Sequence, residues 1–464
     1  MSRKPYSVRK RNRKWMWFLI LAVAGVFGCY YTKFNPQDIV NQTELKSEFS
    51  AEVKEITAPE SKIKAYLVSD NTNPIVSMNF IFANRGSAYD AQGKKGIANF
   101  VSRMLVEGSG KLDSREFKDK LANLAISINF QAGKDDFSGD MLTTKENLSE
   151  AVKLMQDVMY APRFDNSDIE RLKKEILQTI DYLQEKPSAR LEEAQRKLLF
   201  GKHPYSYLTI GTKDDVKSLK KSDLLDYMKN NLTKKLLHIG IVGDVNENEA
   251  AKLVDDIFAK LPDGNDIKEI QTPEIDYSNS NVDVYEEHLP QVLTAITAPG
   301  VARQNKDFYP LYIANYVLGG AGLNSRINKS AREEEGLTYG AYTGLSLLNS
   351  CPLIQGGFST TPENLSKMKE IFIAEWKKMG SDGISEKELR LAKNYLQSSY
   401  NLRFADITVF SAILAEMQNE NLGMDFLQKR NQYIENVTLE RVNLVAKKYF
   451  SPKNLIMINL GKTK

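Results

Sequence analysis

The chain has 464 residues, 42% of them hydrophobic and 26% charged, with a formal net charge of +4. It is long enough for two domains of roughly 200 residues each. Seven basic residues (Arg3, Lys4, Arg9, Lys10, Arg11, Arg13 and Lys14) precede Trp15, so +4 less seven leaves −3 for the remainder, a nearly neutral body that argues against nucleic acid as a partner.

No acid occurs before Asp38, and an apolar run of 17 residues extends from Trp15 to Tyr31. That length is the short limit for crossing a bilayer and exceeds the apolar core of a usual cleaved signal. Positive charge before such a run holds the N-terminus in the cytoplasm and exports the rest. The reading is a basic cytoplasmic segment 1–14, a transmembrane signal-anchor 15–31 and a polar tether 32–51. It places the protein in a bacterial inner membrane as a single-pass protein with its body in the periplasm. Cleavage to a soluble periplasmic form is the alternative, since Ala22-Val23-Ala24 has a small-x-small form and Val26-Phe27-Gly28-Cys29 resembles a poor lipobox. A mitochondrial presequence would be amphipathic rather than uniformly apolar. Cys29 lies in the apolar run, so Cys351 is the one thiol of the exported part and no intrachain disulfide is expected.

Ile75 to Ala83 alternates as a strand, with Val76, Met78, Phe80 and Phe82 on one side. In the next stretch, Gly96 to Gly108, the apolar residues Ile97, Phe100, Val101, Met104 and Leu105 form one helical stripe. Asn99, Ser102 and Arg103 recur at i, i+3 and i+4 on another side and converge on one patch. A helix begins at Ser114, and Ile126 to Leu142 reads as two strands around Gly133-Lys134-Asp135-Asp136. Long helices cover about 146–159 and 165–185, the second with N-cap candidates Asn166, Ser167 and Asp168. His203, in Gly201-Lys202-His203-Pro204-Tyr205, sits in a turn and reads as structural. The three histidines, His203, His238 and His288, are too far apart for a local metal motif. Leu236 to Val242 is a strand, followed by a helix through Ala259.

Pro262-Asp263-Gly264-Asn265 and the polar stretch after it mark a linker, 263–281, between a first domain, 52–262, and a second, 282–464. An internal repeat supports the division. Thr143-Thr144-Lys145-Glu146-Asn147-Leu148-Ser149 returns as Thr360-Thr361-Pro362-Glu363-Asn364-Leu365-Ser366. Arg171, Leu172, Lys174 and Leu177 then match Arg390, Leu391, Lys393 and Leu396. In the second half Val292 to Ala298 reads as a strand, Tyr309 to Leu318 as a helix and Gly319-Gly320-Ala321-Gly322 as a flexible turn. That turn lacks the Lys-Ser/Thr of a phosphate loop. Gly336 should end a helix bearing Arg332, and Leu337 onward should enter a strand bearing Tyr339. Grouped strands and grouped helices give an α+β fold of two homologous domains, each a mainly antiparallel sheet packed on helices.

Gly96-Ile97-Ala98-Asn99-Phe100-Val101-Ser102-Arg103-Met104-Leu105 resembles the metal helix of the insulinase/pitrilysin family of zinc peptidases, where Gly-Ile-Ala is followed by His-x-x-Glu-His. On that alignment Asn99 and Arg103 replace the two His ligands and Ser102 the general-base Glu. The run Glu170-Arg171 to Gln178-Thr179 matches the helix of the third ligand, with Thr179 in its place. An amide and two hydroxyls are poor zinc ligands, and a guanidinium keeps its proton. A unit charge ~4 Å from a divalent ion at an effective dielectric of ~20 is repelled by roughly 8 kcal/mol, a large part of the ~10–16 kcal/mol of a good zinc site. No metal on this chain and no hydrolysis by this chain alone are expected.

Ser325-Arg326 to Tyr339-Gly340 resembles the same family's pattern of an Arg and, seven residues later, a Tyr, Arg-x-x-x-Gly-Leu-x-Tyr, so Arg332 and Tyr339 match the pair that donates hydrogen bonds to a peptide carbonyl or developing oxyanion. The likeness spans residues 52–464. It implies the substrate-binding subunit of a heteromeric zinc peptidase for short, extended peptides, with zinc carried by a homologous partner. The competing readings are a membrane-anchored peptide-binding or scaffolding protein without proteolytic role, as some relatives in respiratory complexes are, and a peptidase with another metal arrangement. No Ser/His/Asp or Cys/His nucleophile arrangement is evident.

Overall fold

The computed structural model describes residues 51–463 except 265–268, 279 and 287. Two sheets carry the architecture. The first contains β1 (Lys54–Thr57), β2 (Lys64–Ser69), β3 (Ile75–Phe82), β4 (Ser127–Ala132), β5 (Phe137–Thr144) and β6 (Leu237–Gly243), in the order β1-β2-β6-β3-β5-β4. The second contains β7 (Asn281–Tyr285), β8 (Val292–Pro299), β9 (Ala341–Leu348), β10 (Cys351–Thr360) and β11 (Ile456–Gly461), in the order β7-β11-β8-β10-β9. Apart from β1, the two orders are the same permutation. The parallel pair also recurs, β2 with β6 in one sheet and β7 with β11 in the other, and the remaining pairings are antiparallel. The sequence repeat therefore has a structural counterpart.

Each sheet buries one face on helices of its own half. The helices of the first half are α1 (Ile97–Met104), α2 (Ser114–Asn123), α3 (Leu148–Tyr160), α4 (Asn166–Glu185), α5 (Pro187–Phe200), α6 (Lys213–Ser218), α7 (Lys221–Asn231) and α8 (Glu247–Phe258). Met78, Phe80 and Phe82 of β3 join Phe100 and Met104 of α1, and Leu172 and Ile176 of α4, in one core. The second half has α9 (Phe308–Asn315), α10 (Arg326–Asn328), α11 (Leu365–Asp382), α12 (Glu386–Asn401), α13 (Ile407–Asn419), α14 (Phe426–Glu435) and α15 (Leu439–Tyr449). Its core gathers Ile296, Phe358, Phe372, Trp376 and Phe450.

Two helices cross over. Leu191, Leu199 and Phe200 of α5 cover Ala295, Leu353 and Ile458 of the second sheet. In return, Phe410, Ile413, Leu414 and Met417 of α13 cover Tyr66, Val68 and Val242 of the first. At Gly240 on β6 the approach is so close that a Cβ would lie 2.2 Å from the Ser411 carbonyl oxygen. A buried polar seam joins the same elements, Ser77 Oγ to Ser411 Oγ at 2.8 Å and Asn79 Nδ2 to Ser411 Oγ at 2.7 Å. The halves thus share their outer layers, and each sheet takes part of its cover from the other segment of chain.

Several local expectations change. Asp165, rather than Asn166, Ser167 or Asp168, is the N-cap of α4, and its carboxylate accepts from Arg163 Nε at 2.7 Å instead of capping the helix. Residues Gly319 and Gly320 are not a flexible turn: they complete a π-helical extension of α9, Tyr316–Gly320. Cys351 is a buried free thiol at the start of β10. The apolar run 15–31 lies outside the described residues, as do the basic segment and all but the last residue of the tether. Among the described residues no helix is long and apolar enough to cross a membrane.

Candidate functional site

Helix α1 is fixed at its start by Asp90, whose buried carboxylate accepts from Gly96 N at 2.7 Å and Ala98 N at 3.2 Å. Burial pushes the Asp90 carboxyl up to about 7, although both backbone donors and Lys95 favour its charged form. On the helix so anchored, Asn99 is partly buried, and its Oδ1 is enclosed without a hydrogen-bond partner among the described residues. Ser102 is buried and turns its hydroxyl back onto the Asn99 carbonyl at 2.8 Å. Arg103 reaches α4 and donates from Nη2 to Glu175 Oε2 at 3.0 Å.

Thr179 is exposed on α4, and its hydroxyl donates to the Glu175 carbonyl one turn back, at 2.9 Å. Of the three α1 positions singled out from sequence, then, only Arg103 makes a side-chain link to α4, and it meets Glu175 rather than position 179. Glu175 also accepts from Arg171 Nη1 at 2.8 Å. Arg171 continues to Glu107 at 2.7 Å and Asp168 at 3.2 Å, and Glu107 accepts from Lys118 at 2.7 Å. Burial would raise the Glu107 carboxyl, but Lys118, Ser114 and Arg171 outweigh it and hold it below the usual range. An ion-pair chain thus runs along the α1–α4 seam.

The donor set there does not suit zinc. One amide oxygen, one back-bonded hydroxyl on each helix and a guanidinium already matched by a carboxylate offer no imidazole or thiolate. Among the described residues no three His, Cys, Asp or Glu side chains gather as a metal-ligand set. His203, for its part, accepts from Tyr205 N through Nδ1 at 3.2 Å and bonds the Gln271 carbonyl through Nε2 at 2.7 Å, tying a turn to the stretch between the halves.

The second candidate pair sits around a helix end in the other half. Helix α10 runs into a π-helical turn, Lys329–Glu334, that carries Arg332. Gly336, at φ +64°, takes the left-handed conformation that ends it. Arg326 anchors this segment to α12 through two 2.7 Å bonds to Glu388. Burial pushes the Glu388 carboxyl up, yet Arg326 and Ser385 hold it down at about 2. The Arg332 side chain is partly exposed and has no ion pair among the described residues.

Tyr339 is not in a strand, because β9 begins two residues later. Thr338 Oγ1 accepts from Gly340 N at 3.1 Å, closing a bend that leaves Tyr339 85% exposed. Asn328, buried on α10, holds the far side of that bend. Its Nδ2 donates to Ala341 O at 2.7 Å and Gly322 O at 2.8 Å, and its Oδ1 accepts from Ala341 N at 2.9 Å. Sequence reasoning singled out neither Asn328 nor Glu175. The only signal for Glu175 was its place one helical turn before position 179, on the same face.

Two family profiles match this chain in succession. Residues 64–213 match the family described as Insulinase (Peptidase family M16), and residues 218–396 match the Peptidase M16 inactive domain. The chain belongs to the insulinase family of peptidases.

Within the insulinase family it is 25% identical over 385 residues to "Non-peptidase homolog YmxG" of Helicobacter pylori, covering 80% of this chain and 86% of that one. It is 20% identical over 412 residues to "Mitochondrial-processing peptidase subunit beta" of Blastocladiella emersonii, covering 85% and 86%. A crystal structure described as a peptidase M16 inactive domain from Pseudomonas fluorescens superposes with a TM-score of 0.83 at 22% identity, covering 89% of this chain and 98% of that one. The second half, residues 218–396, is thus the part that matches the family's inactive domain, and the first half the part that matches its peptidase domain.

Proposed function

We propose that this chain is the Arg/Tyr substrate-binding subunit of a heteromeric zinc peptidase for short, extended peptides. One contrast carries the reading: at the first site Arg103 is matched by Glu175, whereas at the second Arg332 has no acid partner among the described residues and Tyr339 is 85% exposed. Arg326, on the same segment as Arg332, is tied up by Glu388 and serves structure. A cation with no acid partner among the described residues and an exposed phenol, on either side of one helix end, are donors available to a carbonyl.

The Tyr339 hydroxyl and Arg332 guanidinium would each donate to a peptide carbonyl oxygen, and more strongly as negative charge develops on it. The bond-breaking chemistry belongs to a zinc-bearing homologous subunit and not to this chain, whose donor set does not suit the metal. A relative named as a subunit of a processing peptidase supports assembly as the working form. The signal-anchor at 15–31 and a periplasmic body remain part of the proposal.

Co-expression with a His-x-x-Glu-His homologue encoded nearby is the test. Turnover of a short peptide should fall by at least about tenfold with Arg332→Ala or Tyr339→Phe, while assembly persists. Unchanged turnover in both variants removes the reading, and a stable complex with a partner lacking any zinc motif would favour a scaffolding role instead.

A further inference from the structure

The two halves also meet where the turns of two hairpins touch. The turn between β4 and β5, residues 133–136, carries Asp135 and Asp136 and faces the turn between β9 and β10, residues 349–350. Asn349 N donates to Asp135 Oδ2 at 3.0 Å, and Asn349 Nδ2 donates to Asn84 Oδ1 at 3.3 Å. Tyr205 completes that contact, since its hydroxyl donates to Asp135 Oδ1 at 2.5 Å and accepts from Ser350 N at 3.2 Å. Asp136 Oδ1 accepts from Asn84 N at 2.8 Å, and its Oδ2 accepts at 3.1 Å from Nδ2 of Asn419, the last residue of α13. Carboxylates adjacent in sequence thus hold the first half to the second.

Neither carboxylate has an ion pair among the described residues. Lys134 donates to the Tyr207 carbonyl instead, and Arg85 to the Asn84 carbonyl. Tyr89 and His203 also face the pair from the first half, while α13 brings Glu416, which shares Arg303 with Glu420. The 349–350 turn brings no ionisable side chain. Burial raises both carboxyls above the usual range, and Asp135 and Glu416 raise Asp136 further; the hydrogen bonds they accept, with Lys134 and His203 beside Asp135, offset only part of this. A proton need not break the seam. Hydroxyls and carboxamides both donate and accept, so Tyr205 and Asn419 can receive a bond from a neutral carboxyl while Asn349 N and Asn84 N keep an oxygen to donate to. A charged carboxylate gains most from water, and a cavity of about 450 Å³ lined by Asn84, Asn349, Asn419 and Glu420 adjoins the seam.

We propose that Asp135 and Asp136 make this seam a proton-operated clamp between the halves: protonation draws the two hairpin turns together, and loss of the protons lets the turns part and water enter from the adjoining cavity. The sign follows from linkage. The closed seam holds protons that the parted, hydrated seam releases, so a rise in pH favours parting and acid favours closure. The clamp does not depend on the Arg332 and Tyr339 reading, and neither residue enters it.

Hydrogen exchange on the full chain is the test, because the amides of Asn349 and Ser350 are themselves seam donors. After correction for the intrinsic pH dependence of exchange, their protection should fall by at least about tenfold as pH rises from about 4 to about 8, while the amides of β3 in the core stay protected. Asp136→Asn removes one of the two charges and should keep Asn349 and Ser350 protected across that range. Asp140→Asn serves as the control, since its carboxylate is bonded to Asn129 on β4, away from the seam, and it should leave the pH response as in the wild type. Protection that is flat with pH in the wild-type chain, or that rises with pH, overturns the clamp. So does loss of protection in β3 in step with the seam, which would mark global unfolding, and so does a pH response that survives both Asp135→Asn and Asp136→Asn.

Discussion

If Asn99, Arg103 and Thr179 stand where metal ligands once stood, then Asn99→His with Arg103→His and Thr179→Glu should create a zinc site. The substitution at 103 removes a fixed cation, worth roughly 8 kcal/mol of repulsion against a divalent ion at ~4 Å and an effective dielectric of ~20. It also frees Glu175, which accepts from Arg103 at 3.0 Å. Because the two side chains of that pair are 39% and 41% exposed, its loss should cost under ~1 kcal/mol, and the triple variant should fold. The assay has two arms. Metal analysis after gel filtration should find one zinc per triple variant and none per wild-type chain. Free zinc at about a hundred times its dissociation constant should add ~2.7 kcal/mol to the unfolding free energy of the variant alone. A triple variant that ignores zinc would show that α1 and α4 do not present these three positions to one point. A wild-type chain that retains stoichiometric zinc would refute the electrostatic argument outright.

The packing and the buried groups can be tested in the same way. Gly240→Ala places a methyl against the Ser411 carbonyl and Ala415 N, at 2.2 and 2.5 Å, so α13 must lift off the first sheet; urea unfolding should show a loss of at least about 2 kcal/mol. Asn328→Ala strands Ala341 and Gly322, whose bonds it completes, and should cost about 3 kcal/mol while exposing the 336–341 bend to proteases. Burial pushes His238 down to about 4 from 6.5. The unfolded chain therefore takes up a proton near pH 6.5 that the fold refuses until about pH 4. Stability from this group is complete above pH 6.5 and is lost as pH falls through that window, by about 3 kcal/mol in all. His238→Gln should flatten the pH dependence of the unfolding free energy between 6.5 and 4, and parallel curves for the two proteins would refute the assignment.

Much of this molecule can be read without coordinates. The Thr143 and Thr360 repeats mark two related halves because the same kind of turn leads from β5 into α3 and from β10 into α11. The stripe from Ile97 to Leu105 identifies α1 because its period of about 3.6 is local. The expectation that metal ligands are replaced at 99, 103 and 179 likewise needs only residue types, since an amide, a guanidinium and a hydroxyl are the same poor ligands in any fold.

What sequence left open is everything set by residues distant along the chain. That α5 covers the second sheet while α13 covers the first depends on contacts such as Gly240 with Ser411, separated by most of the second half, and no local period records them. Glu175 became the partner of Arg103 because two helices run side by side. Tyr339 stays outside β9 because Asn328 and Thr338 close a bend where its residue type alone favours an extended strand. Residue types alone carried the expectation that metal chemistry is lost at 99, 103 and 179 and that Arg332 and Tyr339 serve as donors. Only the packing decided which of those donors is satisfied and which faces outward, because hydrogen-bond and ion-pair partners are chosen by distance in space.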